Sequence, residues 1–210
     1  MARSPAHSQT LSFLVRRFRE AGIEPRRKLG QNFLIDLNLR DLAIRTADVK
    51  SDDVVLEVGT GTGSFTVLLA EAAAAVVTVE LDPQLFALAG EELHALANVH
   101  MLHGDALKNK NRINPAVLEA VEEKLHAAPG RRFKLVANLP YNIATPILSN
   151  LLALPAPPRT MTVTIQKELA DRIVAVPGTK DYGSLAIWVQ SQCRAEIVRI
   201  MPPSVFWPRP

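Results

Sequence analysis

A chain of 210 residues fits one ordinary domain with room for a small appendage. Its 48% hydrophobic and 21% charged residues allow a real core and exclude disorder over most of the length. The net charge of +3 is unevenly placed, because residues 1–28 hold seven Lys or Arg (Arg3, Arg16, Arg17, Arg19, Arg26, Arg27, Lys28) against Glu20 and Glu24.

Such a basic arm suits an anionic partner, nucleic acid being the commonest, and equally suits a solvated tail. The lone Cys193 excludes an internal disulfide and a cysteine zinc cluster; it reads as a core or strand residue in a reducing cytosol. Leu11–Val15 is too short for a signal-peptide core and runs into Arg16-Arg17. No stretch approaches the roughly 20 apolar residues of a membrane span, so a cytoplasmic protein without membrane contact is expected.

In chain order, Leu11, Leu14, Val15 and Phe18 recur at helical spacing and predict a short amphipathic helix over 11–20, ending near Gly22. A second helix is predicted from Leu37 to Val49. Strands and helices alternate from residue 53. "VVLEV" (54–58) is a strand, 64–74 a helix, "VVTVE" (76–80) a strand, and Pro83 opens a helix to about Ala97. "VHMLHGD" (99–105) is a third strand, and Asn114-Pro115 caps a helix through about His126. "FKLVAN" (133–138) is a fourth strand, with a helix from about Thr145. "TMTVTIQ" (160–166) is a fifth, followed by the helix "KELADRIVA" and two closing strands at about 185–191 and 195–200. This alternation predicts an α/β fold with a mostly parallel seven-stranded sheet covered on both faces. The lack of a long helix between the last two strands allows one of them to run antiparallel.

"LEVGTGTGSF" (56–65) joins a strand, a glycine-rich turn and a helix start, an arrangement that lets a ligand approach main-chain N–H groups. Gly59, Gly61 and Gly63 are spaced G-x-G-x-G, whereas a dinucleotide fingerprint needs its third glycine where Ser64 stands. Glu80 ends the next strand, 21 residues after Gly59, where a carboxylate can accept both ribose hydroxyls. Asp105 ends the third, placed to accept from an adenine amine. Features at three successive strand ends point to an adenosine-type ligand. No phosphate loop accompanies them, and Glu57 suits a sulfonium donor better than a pyrophosphate. S-adenosylmethionine is therefore expected, without a metal.

"NLPY" (138–141) closes the fourth strand beside that site. An exocyclic adenine amine is a weak nucleophile, because its lone pair is delocalised into the ring. The Asn138 side-chain oxygen, with the Leu139 or Pro140 carbonyl, can grip its N–H groups and free that pair. Tyr141 can stack on a base that has left its helix. A turn-forming asparagine beside a core aromatic is the plainer reading of the same residues.

These stretches, with "KLGQNFLID", "VELD", "GDAL", "NLPYNIATPIL", "QKELADRIVAVPGTKDYGSL" and "PPSVFWPRP", resemble the rRNA adenine N6-dimethyltransferase family, most closely its KsgA (RsmA) type. The resemblance runs from about residue 28 to the end. It implies a Rossmann-like class I S-adenosylmethionine-dependent methyltransferase fold and dimethylation of two adjacent adenosines in a small-subunit rRNA hairpin loop during ribosome biogenesis. It implies that Asn32 and Leu34 line the donor's methionine end, with Gly59 and Gly61 at its backbone, Glu80 on the ribose and Asp105 on the adenine. Asn138 to Tyr141 would meet the target amine, and Phe206 would cover the other face of the flipped base. The expected partner is small-subunit rRNA or an immature small subunit.

The expected organisation is a basic arm over 1–27 and a catalytic domain over 28–210, without the helical C-terminal RNA-binding domain usual in the family. A monomer is expected, since no unexplained apolar stripe remains. Lys108, Lys110 and Arg112, in a segment that looks extended, suit phosphate contact or a solvated loop equally. Two rivals stand beside this reading. An NAD-dependent oxidoreductase accounts for the glycine turn and Glu80 but not for "NLPY". An rRNA-binding assembly protein without transferase activity conflicts with intact donor and target residues.

Overall fold

The computed structural model describes residues 9–210, so Arg3 of the basic arm lies outside it. Helix α1 (Leu11–Ala21) starts at Thr10, whose hydroxyl accepts from the Phe13 N–H, and ends at Gly22 in the left-handed conformation that glycine adopts most readily. A short strand, β1 (Phe33–Leu34), precedes α2 (Leu37–Ala47), which is capped by the Asp36 carboxylate. The alternating region follows as β2 (Asp53–Val58), α3 (Ser64–Ala72), β3 (Ala75–Glu80), α4 (Pro83–Leu93) and β4 (Val99–His103). A hairpin of β5 (Leu107–Asn109) and β6 (Arg112–Ile113) leads into α5 (Pro115–His126), β7 (Arg132–Asn138) and α6 (Ala144–Leu152). The chain then forms β8 (Thr160–Thr164), α7 (Lys167–Val174), α8 (Ser184–Gln190) and β9 (Phe206–Trp207). Both α4 and α5 begin as the sequence predicts. Asp82 and Asn114 accept N–H groups of the first turn, and Pro83 and Pro115 occupy positions whose N–H would have no helical partner.

Five strands make one parallel sheet in the order β4-β3-β2-β7-β8. The chain builds outward from β2 in both directions, so the carboxyl ends of β2 and β7 flank a switch point, where open α/β sheets bind ligands. Successive strand residues feed opposite faces. Val54, Leu56 and Val58 pack with Val117, Val121, Ile147 and Leu151, whereas Val55, Val76 and Val136 meet Ala43, Phe65 and Leu69. Burying each such aliphatic side chain contributes about 1.5–3 kcal/mol. At the opposite end from the switch point, the buried Lys134 ammonium lies 2.8 Å from Asp53 and donates to the Ala47 and Asp48 carbonyls. Burial alone would raise the Asp53 carboxyl, but Lys134 and the Lys50 N–H outweigh it and hold the group below its ordinary range.

The sheet departs from expectation at its β8 side. The expected strand 185–191 is instead helix α8 up to Gln190, because Ala186 and Val189, three apart, are buried while Ile187 and Trp188 face outward. Residues 195–200 pair with no strand among the described residues, and Ile197, Val198 and Ile200 are exposed. Among the described residues the main sheet thus has five strands rather than seven, and antiparallel pairing is confined to the ribbons β1–β9 and β5–β6. Cys193 follows α8 in an exposed position and is not a core residue. The exposed Val176, Ile187, Trp188, Ile197, Val198 and Ile200 also remove the premise on which a monomer was expected. Helix α7 follows Gln166 directly, in line with the helix expected over "KELADRIVA", and Lys167 pairs with Asp171 one turn on. Among the described residues, no helix is long and apolar enough to cross a membrane.

Candidate functional site

The carboxyl ends of β2, β3 and β7 open into one cavity lined by the glycine turn, Glu57, Glu80, Asp105, Asn138 and Pro140. Two glycines allow its walls to meet. A Cβ at Gly59 would stand 3.2 Å from the Pro140 ring, and one at Gly30 would stand 2.9 Å from the Asn142 side chain. Both also have positive φ, which other residues adopt only with strain.

The Glu80 carboxylate accepts the Gly61 N–H at 2.8 Å and the Asp82 N–H at 2.9 Å, one on each oxygen. The carboxylate has lone pairs beyond these two bonds to offer a ligand hydroxyl. Burial raises this carboxyl above its usual range. Asp105 accepts the Leu107 N–H at 2.8 Å through one oxygen, leaving the other to the cavity. Glu57 is fully buried, and one of its oxygens accepts the hydroxyls of Thr66 at 2.6 Å and Thr78 at 2.7 Å. Burial pushes its carboxyl up to about 8, against the pull of those hydroxyls and with help from Glu80. Among the described residues, no lysine or arginine lines the cavity. Carboxyl groups in such a lining disfavour a polyphosphate and suit a ligand carrying hydroxyls and N–H groups.

Asn138 ends β7 directly beside Thr164, the last residue of β8. Its side-chain N–H donates to the Asn32 carbonyl at 2.7 Å, and the Thr164 hydroxyl donates to its side-chain oxygen. The Pro140 carbonyl already accepts the Ile143 N–H at 3.1 Å, which favours the Leu139 carbonyl as a second acceptor. The Leu139 side chain itself is core. Tyr141 is half-buried, and burial raises its hydroxyl above the usual phenol range.

Asn32 lines the cavity and also donates to the Pro208 carbonyl at 3.2 Å. Leu34 lines it too, paired in the β1–β9 ribbon with Phe206. Phe206 is placed differently from expectation. It is 7% exposed and packs with Leu34, Ala43 and Phe65 in the core, outside the cavity lining. Its neighbour Trp207 packs instead against Phe18, with ring centroids 5.2 Å apart.

The sequence reading missed the wall supplied by the start of the described chain. Gln9 is 3% exposed, donates to the Thr62 carbonyl at 2.9 Å and accepts from the Thr62 hydroxyl. Leu14 of α1 lines the same cavity, and Phe18 packs on Leu85, Leu88 and Phe33. Arg17 pairs with Glu91 and Arg26 with Asp82, so part of the basic arm is spent within the protein. The apolar stripe of α1 was the available signal, since such a stripe requires a surface to cover. Thr60, Thr66, Thr78 and Thr164 were also missed, because single threonines carry no pattern. Lys108, Lys110 and Arg112 stand exposed around the β5–β6 hairpin. Among the described residues, no group of His, Cys, Asp and Glu is arranged to hold a metal.

Comparison with known proteins gives a consistent picture. Residues 23–210 match the family described as ribosomal RNA adenine dimethylase. A protein named ribosomal RNA small subunit methyltransferase A, from Alkaliphilus oremlandii, is 44% identical over 184 residues, which cover 88% of this chain and 61% of that protein. A dimethyladenosine transferase from Plasmodium falciparum superposes with a TM-score of 0.68 at 28% identity, over 83% of this chain and 58% of that one. The 23S rRNA methyltransferase ErmE gives 0.67 at 26% identity, over 85% and 65%. This chain therefore spans about three fifths of the length of the curated relatives it matches. Helix α1 lies ahead of the family match.

Proposed function

The chain belongs to the ribosomal RNA adenine dimethylase family, and from that premise we propose that it methylates adenosine N6 amines in ribosomal RNA, with S-adenosylmethionine as donor. The substrate is small-subunit rRNA or an immature small subunit in the cytoplasm, and the product is dimethyladenosine at two neighbouring positions. The relatives' names support the small-subunit target. The observation that carries the reading is the junction of the 138–141 turn with a carboxyl-lined cavity to which the described residues bring no lysine or arginine.

That cavity fits the donor. Glu80 accepts from a ribose diol, and Asp105 keeps one oxygen for an adenine amine. Asn32, Gly59 and Gly61 hold the methionine end, and Glu57 lies at the cavity wall beneath. The donor, when bound, supplies an electrophilic methyl on a sulfonium, whose C–S bonding pair stays with sulfur as a neutral thioether. The Asn138 side-chain oxygen and the Leu139 carbonyl accept the two N–H groups of the target amine. This draws N6 toward tetrahedral geometry, so that its lone pair can form the new N–C bond. The N6 proton then leaves to water, because nitrogen becomes acidic as the methyl adds. Asn138 has no need to act as a base; positioning and electrostatics supply the rate. Tyr141 stacks on the flipped base. Phe206 would need to leave the core to do the same, so the stacking role is assigned to Tyr141 alone.

The test is transfer of labelled methyl to unmethylated small subunits, followed by nucleoside analysis. Dimethyladenosine is expected from the parent. Asn138→Ala should lose transfer by at least about a hundred-fold while binding donor as the parent does. Full activity in that variant overturns the mechanism, and absence of donor binding in the parent overturns the function.

A further inference from the structure

An asparagine can accept from an amine only if its amide is turned the right way round. The two ends of the group have nearly the same shape, and its terminal torsion is broad. Turned over, Asn138 would point N–H groups at the target's own N–H groups. Its neighbours prevent this. The Asn32 carbonyl can only accept, so the end facing it at 2.7 Å is the amide nitrogen. The opposite end is then the oxygen, and the Thr164 hydroxyl must donate to it.

We propose that Thr164 is a positioning residue that aims the acceptor oxygen of Asn138 at the target amine; this rests on the methyl-transfer reading above. Three observations converge on it. The parallel pairing of β7 with β8 sets Thr164 directly beside Asn138, so both side chains leave the sheet on one face. The Thr164 hydroxyl occupies one of the two lone pairs of the Asn138 oxygen and leaves one for the substrate. The Thr164 carbonyl also accepts the Leu139 N–H at 3.2 Å, so one residue holds the turn through its main chain and the amide through its side chain. The second transfer depends on this most. A monomethylated amine has a single N–H left, and one correctly aimed acceptor must hold it.

Thr164→Val keeps the shape and removes the hydroxyl, whereas Thr164→Ser keeps the hydroxyl. In Thr164→Val, kcat should fall about ten-fold, donor affinity should stay within two-fold of the parent, and monomethyladenosine should accumulate. Thr164→Ser should restore kcat and the product ratio. NMR of the ligand-free protein adds a readout independent of turnover. The Asn138 side-chain amide should give sharp, slowly exchanging proton signals in the parent and in Thr164→Ser, and broadened ones in Thr164→Val. A Val variant with parental kcat, product ratio and amide signals overturns the proposal. So does a loss that Ser fails to restore, which would assign the effect to packing. A parent that transfers no methyl fails the functional reading instead, and the amide signals then show whether Thr164 still orients Asn138.

Discussion

Glu57 shows how one side chain's chemistry is set by residues far away in sequence. Its carboxyl sits up to about 8 because burial penalises the charged form, even with two threonine hydroxyls donating to it. The folded state therefore holds a proton that the unfolded chain releases above its ordinary value of 4.5. Stability contributed by this group is full below that value and is lost as pH rises toward about 8, then levels off. Glu57→Gln keeps the shape and cannot ionise. Thermal unfolding should show the variant's Tm rising relative to the parent between pH 5 and 8, with a constant gap above. Parallel curves across that range would mean that Glu57 is ionised throughout. The sequence revealed an acidic residue at the loop end and a preference for a cationic donor. It hid the protonation, because Thr66 and Thr78 lie nine and 21 residues away and only the fold brings them to Glu57. Asn138 drew notice through its neighbours in the 138–141 turn, whereas the partners that orient its amide, Asn32 and Thr164, lie 106 and 26 residues away.

Helix α1 was legible as a helix and illegible as a wall. Thr10, Gly22 and the apolar spacing mark its ends and its buried stripe, but nothing local says what the stripe covers. Its hold on the body centres on Phe18, which is 2% exposed and meets Phe33, Trp207, Leu85 and Leu88. Phe18→Ala should cost about 3–5 kcal/mol of local packing. Hydrogen exchange should then quicken across α1 while amides of β2, β3 and β7 keep their protection, and donor affinity should weaken. Equal quickening across the sheet would show that α1 and the core unfold as one unit. Residues 185–191 failed at this same scale. Their β-branched and aromatic composition favours a strand, yet burial at a spacing of three residues makes α8. Phe206 failed by one pleat, as β9 turns it toward the core and gives Trp207 to the other side.

At the level of the whole molecule, the parallel α/β sheet followed from alternation, and its width did not. A strand needs a partner as well as a pattern, and 195–200 has the aliphatic content without the pairing. Replacing Ile197, Val198 and Ile200 by serine together should shift stability by less than about 1 kcal/mol, because all three are exposed. The same change should reduce binding of an apolar fluorescent dye and slow aggregation on concentration. A large loss of Tm would show that the segment is packed in solution. The ribbon β1–β9 carries a separate consequence. It joins Phe33 to Trp207, and Asn32, which reaches Pro208 across 176 residues of sequence, is also the residue whose carbonyl orients Asn138. During synthesis the sheet strands emerge well before the segment that completes this ribbon. A nascent chain paused short of residue 206 would already hold Glu80, Asp105 and Asn138, but without the clasp that seats Asn32 among them. Competence to bind would then arrive in one step, once residues 206–208 have cleared the ribosome.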